Sequence, residues 1–230
     1  MNVWQPLRQV LEDFRALVSL VPAIPLIPFL GELLQHVAEI QLGMFASHEA
    51  FAALQGSWVR LAFGVIKVAT LMVGLGLTAR WTARRHAVLL GVANPIDWPV
   101  LAIPPALTIA ALLAVRFGPI HEARMQLFWL GAILLISMPA LRFSSDALFG
   151  QVRQSLAQAL RRRPMPRPIG LVAVLPVPLL VYFHLLNHDL AFGASLPLVW
   201  ALMIWDAAII AVLAAIMGSL TFRFYRPLPT

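Results

Sequence analysis

The chain has 230 residues, of which 60% are apolar and 12% charged, and its formal net charge is +7. Ordinary soluble domains carry roughly 25% charged residues, so the solvated surface of a soluble protein could not be built from so few. There is no cysteine, which excludes disulfides, thiolate chemistry and cysteine-ligated zinc. The composition indicates a protein that lies in a lipid bilayer.

Six apolar blocks follow one another along the chain. A helix of roughly 20 apolar residues crosses a hydrocarbon core of about 30 Å, and a hydropathy window finds blocks near that length. Their approximate limits are 16–31, 58–79, 98–115, 126–141, 169–186 and 196–220. Only short polar connections separate them. The sequence therefore predicts an all-α fold, a polytopic membrane helix bundle of about six transmembrane helices that forms one integral membrane domain over residues 1–230.

The basic residues predict the orientation of this bundle. Alternate connections carry thirteen basic residues on one side and two on the other, and the excess of arginine and lysine marks the cytoplasmic side. The largest group lies in residues 142–168. The first 20 residues lack the basic region and cleavage site of a signal peptide. We expect a bacterial-type, multi-pass protein of the inner (cytoplasmic) membrane with both termini in the cytoplasm.

The first apolar block is short and rich in proline. Pro22, Pro25 and Pro28 each lack a backbone donor and disturb the preceding helical turn. Neighbouring helices or water can satisfy the carbonyls that are freed in this way. Residues 16–31 are therefore predicted to span the membrane, with a re-entrant segment as the alternative.

Three stretches outside the blocks have the pattern of amphipathic helices at a membrane surface. They are residues 3–18 at the N-terminus, 31–51 after the first helix, and 144–163 in the 142–168 connection. In each, apolar residues recur at helical spacing. The basic helix of the last stretch suits an anionic cytoplasmic leaflet, and a docking surface for a partner is the less favoured alternative.

The second of these stretches also has the residue types of a metal or acid–base site. Glu32, His36 and Glu39 share one helical face because residues three and four apart are neighbours. His48 and Glu49 follow closely and could add ligands. No recognised metal-binding spacing is present, so the sequence favours a solvated face and predicts no metal.

Two ionisable residues fall inside apolar blocks. Lys67, the only lysine, lies in the second block, and Asp206 lies about ten residues into the last. Ionisable groups at bilayer depth are costly and are functional candidates by default. Their opposite charges and similar depth predict a coupled intramembrane pair, with a purely stabilising pair as an equal alternative.

Further polar residues are expected near the outer ends of the helices. Arg60 lies near the start of the second block, and the segment HLLNHD lies at the outer end of the fifth. A polar cluster on the outer side of the membrane is geometrically possible. Its members would be Glu32, His36, Glu39, Arg60, His184, His188 and Asp189. Histidines at the membrane interface need no partner, so solvated helix ends remain the simpler interpretation for His184 and His188.

The sequence leaves the activity open among three functions. The favoured one is a membrane protein that handles a lipid or small solute, or is a membrane subunit of a larger assembly. The second is a metal-dependent or acid–base enzyme that acts on a lipid or peptide at the outer leaflet. The third is a structural subunit. No nucleotide-binding or hydrolase motif is present, and no cofactor is indicated. The expected partners are the lipid bilayer and other membrane subunits. Nucleic acid is not expected, since the arginines lie at block ends.

Overall fold

A computed structural model describes residues 4–86 and 176–225. Within these ranges the protein consists of six α-helices and one short 3₁₀ helix, Met44–Ala46. The α-helices are α1 (Trp4–Leu20), α2 (Ala23–Gln41), α3 (His48–Leu54), α4 (Trp58–Arg85), α5 (Pro176–Ala191) and α6 (Leu196–Tyr225). The predicted blocks 98–115 and 126–141, and the amphipathic helix of the 142–168 connection, lie outside the described residues.

Three of these helices are long and apolar enough to cross a membrane. They are Ala23–Gln41, Trp58–Arg85 and, within α6, Leu196–Leu220. The predicted blocks 58–79 and 196–220 correspond to α4 and α6. The expectation of an all-α protein with helices suited to a bilayer is thereby confirmed.

The predicted limits of the first block are wrong. The helix is interrupted between Leu20 and Ala23. Residues 16–20 are therefore the end of α1, and the helix that could span the membrane begins at Ala23. Pro22 caps α2, where the missing N–H of proline costs no helical hydrogen bond. The helix continues to Gln41, so residues 30–41 are its second half and not a separate interfacial helix. A hydropathy window ended the block early because it counts Glu32, His36 and Glu39 as polar residues in water.

Helices α2, α4 and α6 pack against one another, and α5 packs on α6. Small residues allow the close approach. A Cβ on Gly74 of α4 would lie 2.7 Å from Cδ of Pro28 in α2, and one on Gly218 of α6 would lie 2.7 Å from the Leu75 carbonyl oxygen. Such small residues at helix contacts are typical of membrane bundles.

Helix α1 confirms the predicted N-terminal helix and lies against α6. Its buried residues include Val10 and Leu17, whereas Leu11 and Val18, from the predicted apolar stripe, face outward. A location of this stripe on the membrane surface stays a prediction.

One buried polar contact ties α1 to the bundle. Asp13 accepts a hydrogen bond from the Ser219 hydroxyl at 2.8 Å, and its other oxygen lies 2.9 Å from Nε2 of His86. The His86 ring stacks on Phe222. These contacts join α1 to the end of α4 and to the last turns of α6.

Helices α2 and α5 end where α4 and α6 begin, and we call this end of the bundle the cap end. The amide of Gly193, between α5 and α6, donates to the carbonyl of Phe45 at 2.9 Å. Gly43 and Gly193 have φ values of 73° and 70°, in the left-handed region that favours glycine. Helix α3 and the 3₁₀ helix belong to this end.

Candidate functional site

Polar side chains from four helices meet inside the bundle near the cap end. We call this set the polar core. Its members are Glu32, Gln35, His36 and Glu39 of α2, Arg60 and Lys67 of α4, His184, Asn187 and His188 of α5, and Asp206 of α6. At a rise of 1.5 Å per residue, they extend from about 3 to about 15 Å below the cap ends of their helices.

The polar face of α2 is the centre of this set. Glu32, His36 and Glu39 are fully buried, and Gln35 is 6% exposed. The prediction that this face is solvated is therefore wrong. The helical spacing was recognised correctly, but the partners of these side chains come from α4, α5 and α6, which no periodicity within α2 could reveal.

His36 contacts three carboxylates. Its Nδ1 atom lies 3.0 Å from Oε2 of Glu39, and its Nε2 atom lies 3.0 Å from Oδ2 of Asp206. The same Nε2 lies 3.3 Å from Oε1 of Glu32. Both ring nitrogens thus face anionic oxygens, so this imidazole can relay a proton between carboxylates on two helices.

Asp206 is held by α5 as well as by His36. Its Oδ2 atom lies 2.6 Å from Nδ1 of His184, and its Oδ1 atom accepts a hydrogen bond from the amide of Asn187 at 3.0 Å. The carboxylate is fully buried. Charge-assisted hydrogen bonds of this kind can offset part of the cost of removing a carboxylate from water.

Glu39 is oriented by two donors. Nε of Arg60 donates to its Oε1 atom at 3.0 Å, and the amide of Gln35 donates to the same atom at 2.9 Å. Arg60 also lies over the Phe51 ring of α3, 5.6 Å from the ring centroid. The carboxylate of Glu39 is therefore fixed in place beside His36.

Lys67 makes its ion pair with Glu32, at 2.6 Å. Asp206, its expected partner, instead contacts the histidines. Glu32 and His36 connect the two residues in a chain of polar contacts, and the predicted coupling of Lys67 with Asp206 stays a prediction. Within the described residues, Oε2 of Glu32 is buried and has no hydrogen-bond partner.

His188 is buried, and one of its ring nitrogens has no hydrogen-bond partner among the described residues. The residue is 7% exposed, and this nitrogen is Nε2. Its ring centroid lies 4.5 Å from that of His184 and 5.3 Å from that of His36. Phe45 and Phe51 contact it on the cap side. This imidazole therefore lies between aromatic rings and the other two histidines.

Three residues that the sequence offered as candidate ligands or cluster members lie outside the polar core. His48 and Asp189 form a contact of 3.0 Å with each other, and their side chains are 71% and 68% exposed. Glu49 is exposed in the first turn of α3. The structure brings together the other six members of the predicted outer cluster.

Gln35 and Asn187 were not among the predicted site residues, although both lie in the polar stretches that the sequence indicated. Gln35 lies four residues before Glu39, and Asn187 lies three residues after His184. This spacing puts each amide on the same helical face as its charged neighbour. This spacing could have identified both amides, but the prediction selected residues that can carry a charge, and amides are uncharged.

The polar core has the composition of a proton-transfer or metal site. It holds three carboxylates against one lysine and one arginine, so its net charge is −1 when the imidazoles are neutral. The donor atoms of His36, His188 and Asp206 lie within 4.8 Å of one another, as do those of Glu32, His184 and Asp206.

No family model matches the chain, and comparisons with curated proteins and with solved structures give no match.

Proposed function

We propose that the chain is a bacterial-type inner-membrane protein of about six helices that acts as an intramembrane enzyme at the polar core. Its reaction would use acid–base or metal-dependent chemistry on a lipid or peptide at the outer leaflet. The observation that carries this proposal is His36, fully buried and in contact with carboxylates of α2 and α6. The proposal favours the second of the three functions left open by the sequence.

The free-energy cost of burying the polar side chains of the polar core supports a functional role over a structural one. Buried ion pairs seldom stabilise a protein more than apolar residues of similar volume would. Buried groups without a hydrogen bond cost about 1–3 kcal/mol each, and Oε2 of Glu32 and Nε2 of His188 are two such groups. A structural subunit could join the same helices with apolar contacts. Retention of these groups is therefore better explained by chemistry than by packing.

The position of the polar core supports a substrate that arrives at the cap end. The proposal puts this end on the outer side, which is supported by positive-inside bias, since Arg80, Arg84 and Arg85 lie at the opposite end of α4. A lipid headgroup or an extended peptide at that surface would have to displace the aromatic residues Phe45 and Phe51, which contact His188, to reach the polar core.

A stability comparison tests whether His188 is kept for function. His188→Met removes an imidazole whose Nε2 has no partner, without a large change of volume. We expect the unfolding temperature in detergent to rise, because functional groups are often retained at the expense of stability. His48→Met, at an exposed histidine, is the matched control and should change little. A marked fall for both His188→Met and His188→Leu would favour the structural subunit.

A turnover experiment tests the enzyme directly. The protein would be reconstituted into vesicles of total bacterial lipid, with and without added membrane peptides, and the products followed by mass spectrometry. We expect new products with the wild type and none with Asp206→Asn. If neither lipids nor peptides change over wild-type vesicles, the proposed enzyme is wrong, and a carrier or assembly subunit takes its place.

A further inference from the structure

Imidazole and carboxylate donors from three helices lie within a few ångströms of one another in the polar core. In the first triad, the donor atoms of His36, His188 and Asp206 lie within 4.8 Å of one another. Glu32 and His184 form a second triad with the same Asp206. Donors about 2.0–2.2 Å from a tetrahedral ion lie about 3.3 Å apart. Binding of a metal ion would require the donors of a triad to move to that spacing.

The hydrogen bond between Nδ1 of His36 and Glu39 leaves the other ring nitrogen, Nε2, facing the carboxylates of Asp206 and Glu32. Because Glu39 already accepts hydrogen bonds from Arg60 and Gln35, its carboxylate is an acceptor, and Nδ1 of His36 donates to it. In the neutral ring, Nε2 then carries a lone pair. This lone pair faces Oδ2 of Asp206 at 3.0 Å and Oε1 of Glu32 at 3.3 Å.

Nε2 of His36 and Oδ2 of Asp206 need a cation between them, either a proton or a metal ion. Lys67 already lies 2.6 Å from Oε1 of Glu32, and Nδ1 of His184 lies 2.6 Å from Oδ2 of Asp206. A metal ion could take the place of the His36 proton and bind Nε2 and Oδ2 together. A histidine that donates its second N–H to an oriented carboxylate is the usual arrangement of a metal ligand. Glu39 is that carboxylate here, and Arg60 and Gln35 hold it.

His188 gives an independent indication of a ligand. Its side chain is more than nine-tenths buried, and Nε2 has no hydrogen-bond partner among the described residues. Its ring centroid lies 5.3 Å from that of His36 and 4.5 Å from that of His184. A metal ion would occupy its lone pair.

The charge of the polar core fits one divalent ion. With neutral imidazoles the net charge is −1, from the carboxylates of Glu32, Glu39 and Asp206 and the cations Arg60 and Lys67. One divalent ion with a bound hydroxide brings the total to zero. Two divalent ions would leave a large positive charge in a medium of low dielectric constant, which is unfavourable.

We propose that the polar core binds a single divalent transition-metal ion of the zinc class through His36, His188 and Asp206, with Glu32 and His184 beside it as exchangeable ligands. Nitrogen-rich donor sets of this kind suit Zn²⁺ and its first-row neighbours, whereas Mg²⁺ and Ca²⁺ prefer oxygen donors. The inference deepens the proposed function, because a bound metal ion would polarise a substrate carbonyl or activate water there.

Zinc titration of the full chain tests this site. The protein would carry a purification tag without histidine, be treated with chelator in detergent, and then be titrated with ZnCl₂ alone. We expect about one tightly bound equivalent per chain and a rise in unfolding temperature. His188→Gln and Asp206→Asn should each weaken zinc binding at least tenfold. Asp189→Asn, a carboxylate next in sequence to His188 but outside the polar core, is the matched control and should bind as the wild type does.

The result distinguishes the metal site from the proposed function. Absence of stoichiometric zinc in folded wild-type protein, or full binding by His188→Gln, overturns the metal site. If His188→Met stabilises the protein and lipid or peptide turnover is found without zinc, acid–base chemistry alone remains. Circular dichroism and gel filtration confirm that each variant is folded. Because Nε2 of His188 has no hydrogen-bond partner among the described residues, loss of zinc binding by His188→Gln is not explained by a broken hydrogen bond at that atom.

Discussion

The Nε2 atom of His36 in α2 lies 3.0 Å from Oδ2 of Asp206 in α6, two residues separated by 170 positions in the sequence. This contact connects the carboxylate–lysine contact between α2 and α4 to the histidines of α5. Replacing one member therefore changes the surroundings of residues that it does not touch.

The coupling of Lys67 with Asp206 is tested by a double-mutant cycle. Lys67→Met leaves the buried Glu32 without its cation, and Asp206→Leu leaves His36 and His184 without their shared carboxylate. We expect each single variant to be destabilised, by up to about 3–5 kcal/mol for a fully buried pair. The double variant should be more stable than the sum of the two losses predicts, in unfolding followed by circular dichroism in detergent.

The contacts seen in the structure sharpen this cycle. Lys67→Met combined with Glu32→Leu removes both members of the direct ion pair and should recover more stability than Lys67→Met with Asp206→Leu. Strict additivity of Lys67→Met and Asp206→Leu would show that the chain of contacts through Glu32 and His36 transmits no coupling.

Close packing of α2 on α4 is tested at two glycines of the same helix. A Cβ on Gly74 would meet the rigid ring of Pro28 at 2.7 Å, whereas one on Gly64 would find its nearest neighbour at 3.9 Å. We expect Gly74→Ala to lower the free energy of unfolding by about 1–3 kcal/mol through overpacking. Gly64→Ala should be neutral or slightly stabilising, since alanine favours the helix. Equal effects would mean that α2 and α4 do not meet at Pro28.

Attachment of α1 to the bundle is tested at two adjacent acidic residues. Asp13→Ala leaves the Ser219 hydroxyl and a His86 nitrogen without their carboxylate, and a loss of about 1–3 kcal/mol is expected. Glu12 is half-exposed and, among the described residues, pairs with the exposed Arg8, so Glu12→Ala should cost less than about 0.5 kcal/mol. Limited proteolysis within α1 should increase for Asp13→Ala alone; equal cleavage of both variants would argue against this attachment.

The predicted topology is tested with a reporter that is active only outside the cytoplasm. Fusions after Ser47 or Gly193, at the cap end, should be active, whereas fusions after Arg85, Arg163 or Thr230 should not. The positive-inside bias is the physical reason. Activity after Arg163 would overturn the orientation, because that connection carries the most arginine. Disagreement after Ser47 alone would instead indicate that α2 does not cross the membrane.

Local properties of the sequence were enough to predict the class of fold. A helix in a bilayer must satisfy its own backbone and present apolar side chains to lipid, and both requirements can be recognised within one segment. Block 58–79 therefore anticipated α4, block 196–220 anticipated α6, and the stripe in residues 3–18 anticipated α1. The helical face formed by Glu32, His36 and Glu39 was recognised for the same reason, because its spacing is a property of one helix.

Only the tertiary structure decided what that face contacts. Burial of Glu32 depends on Lys67, and burial of His36 depends on Asp206, and both partners are distant in sequence. Without them the same three polar residues looked like a solvated surface and ended the predicted first block too early. Pairing by charge and depth likewise joined Lys67 to Asp206, although depth does not determine which neighbouring helix a side chain faces. The sequence determined which residues can be charged inside the bilayer. Helix packing determined which of them meet, because a charged side chain that has lost its water is stabilised by partners on neighbouring helices.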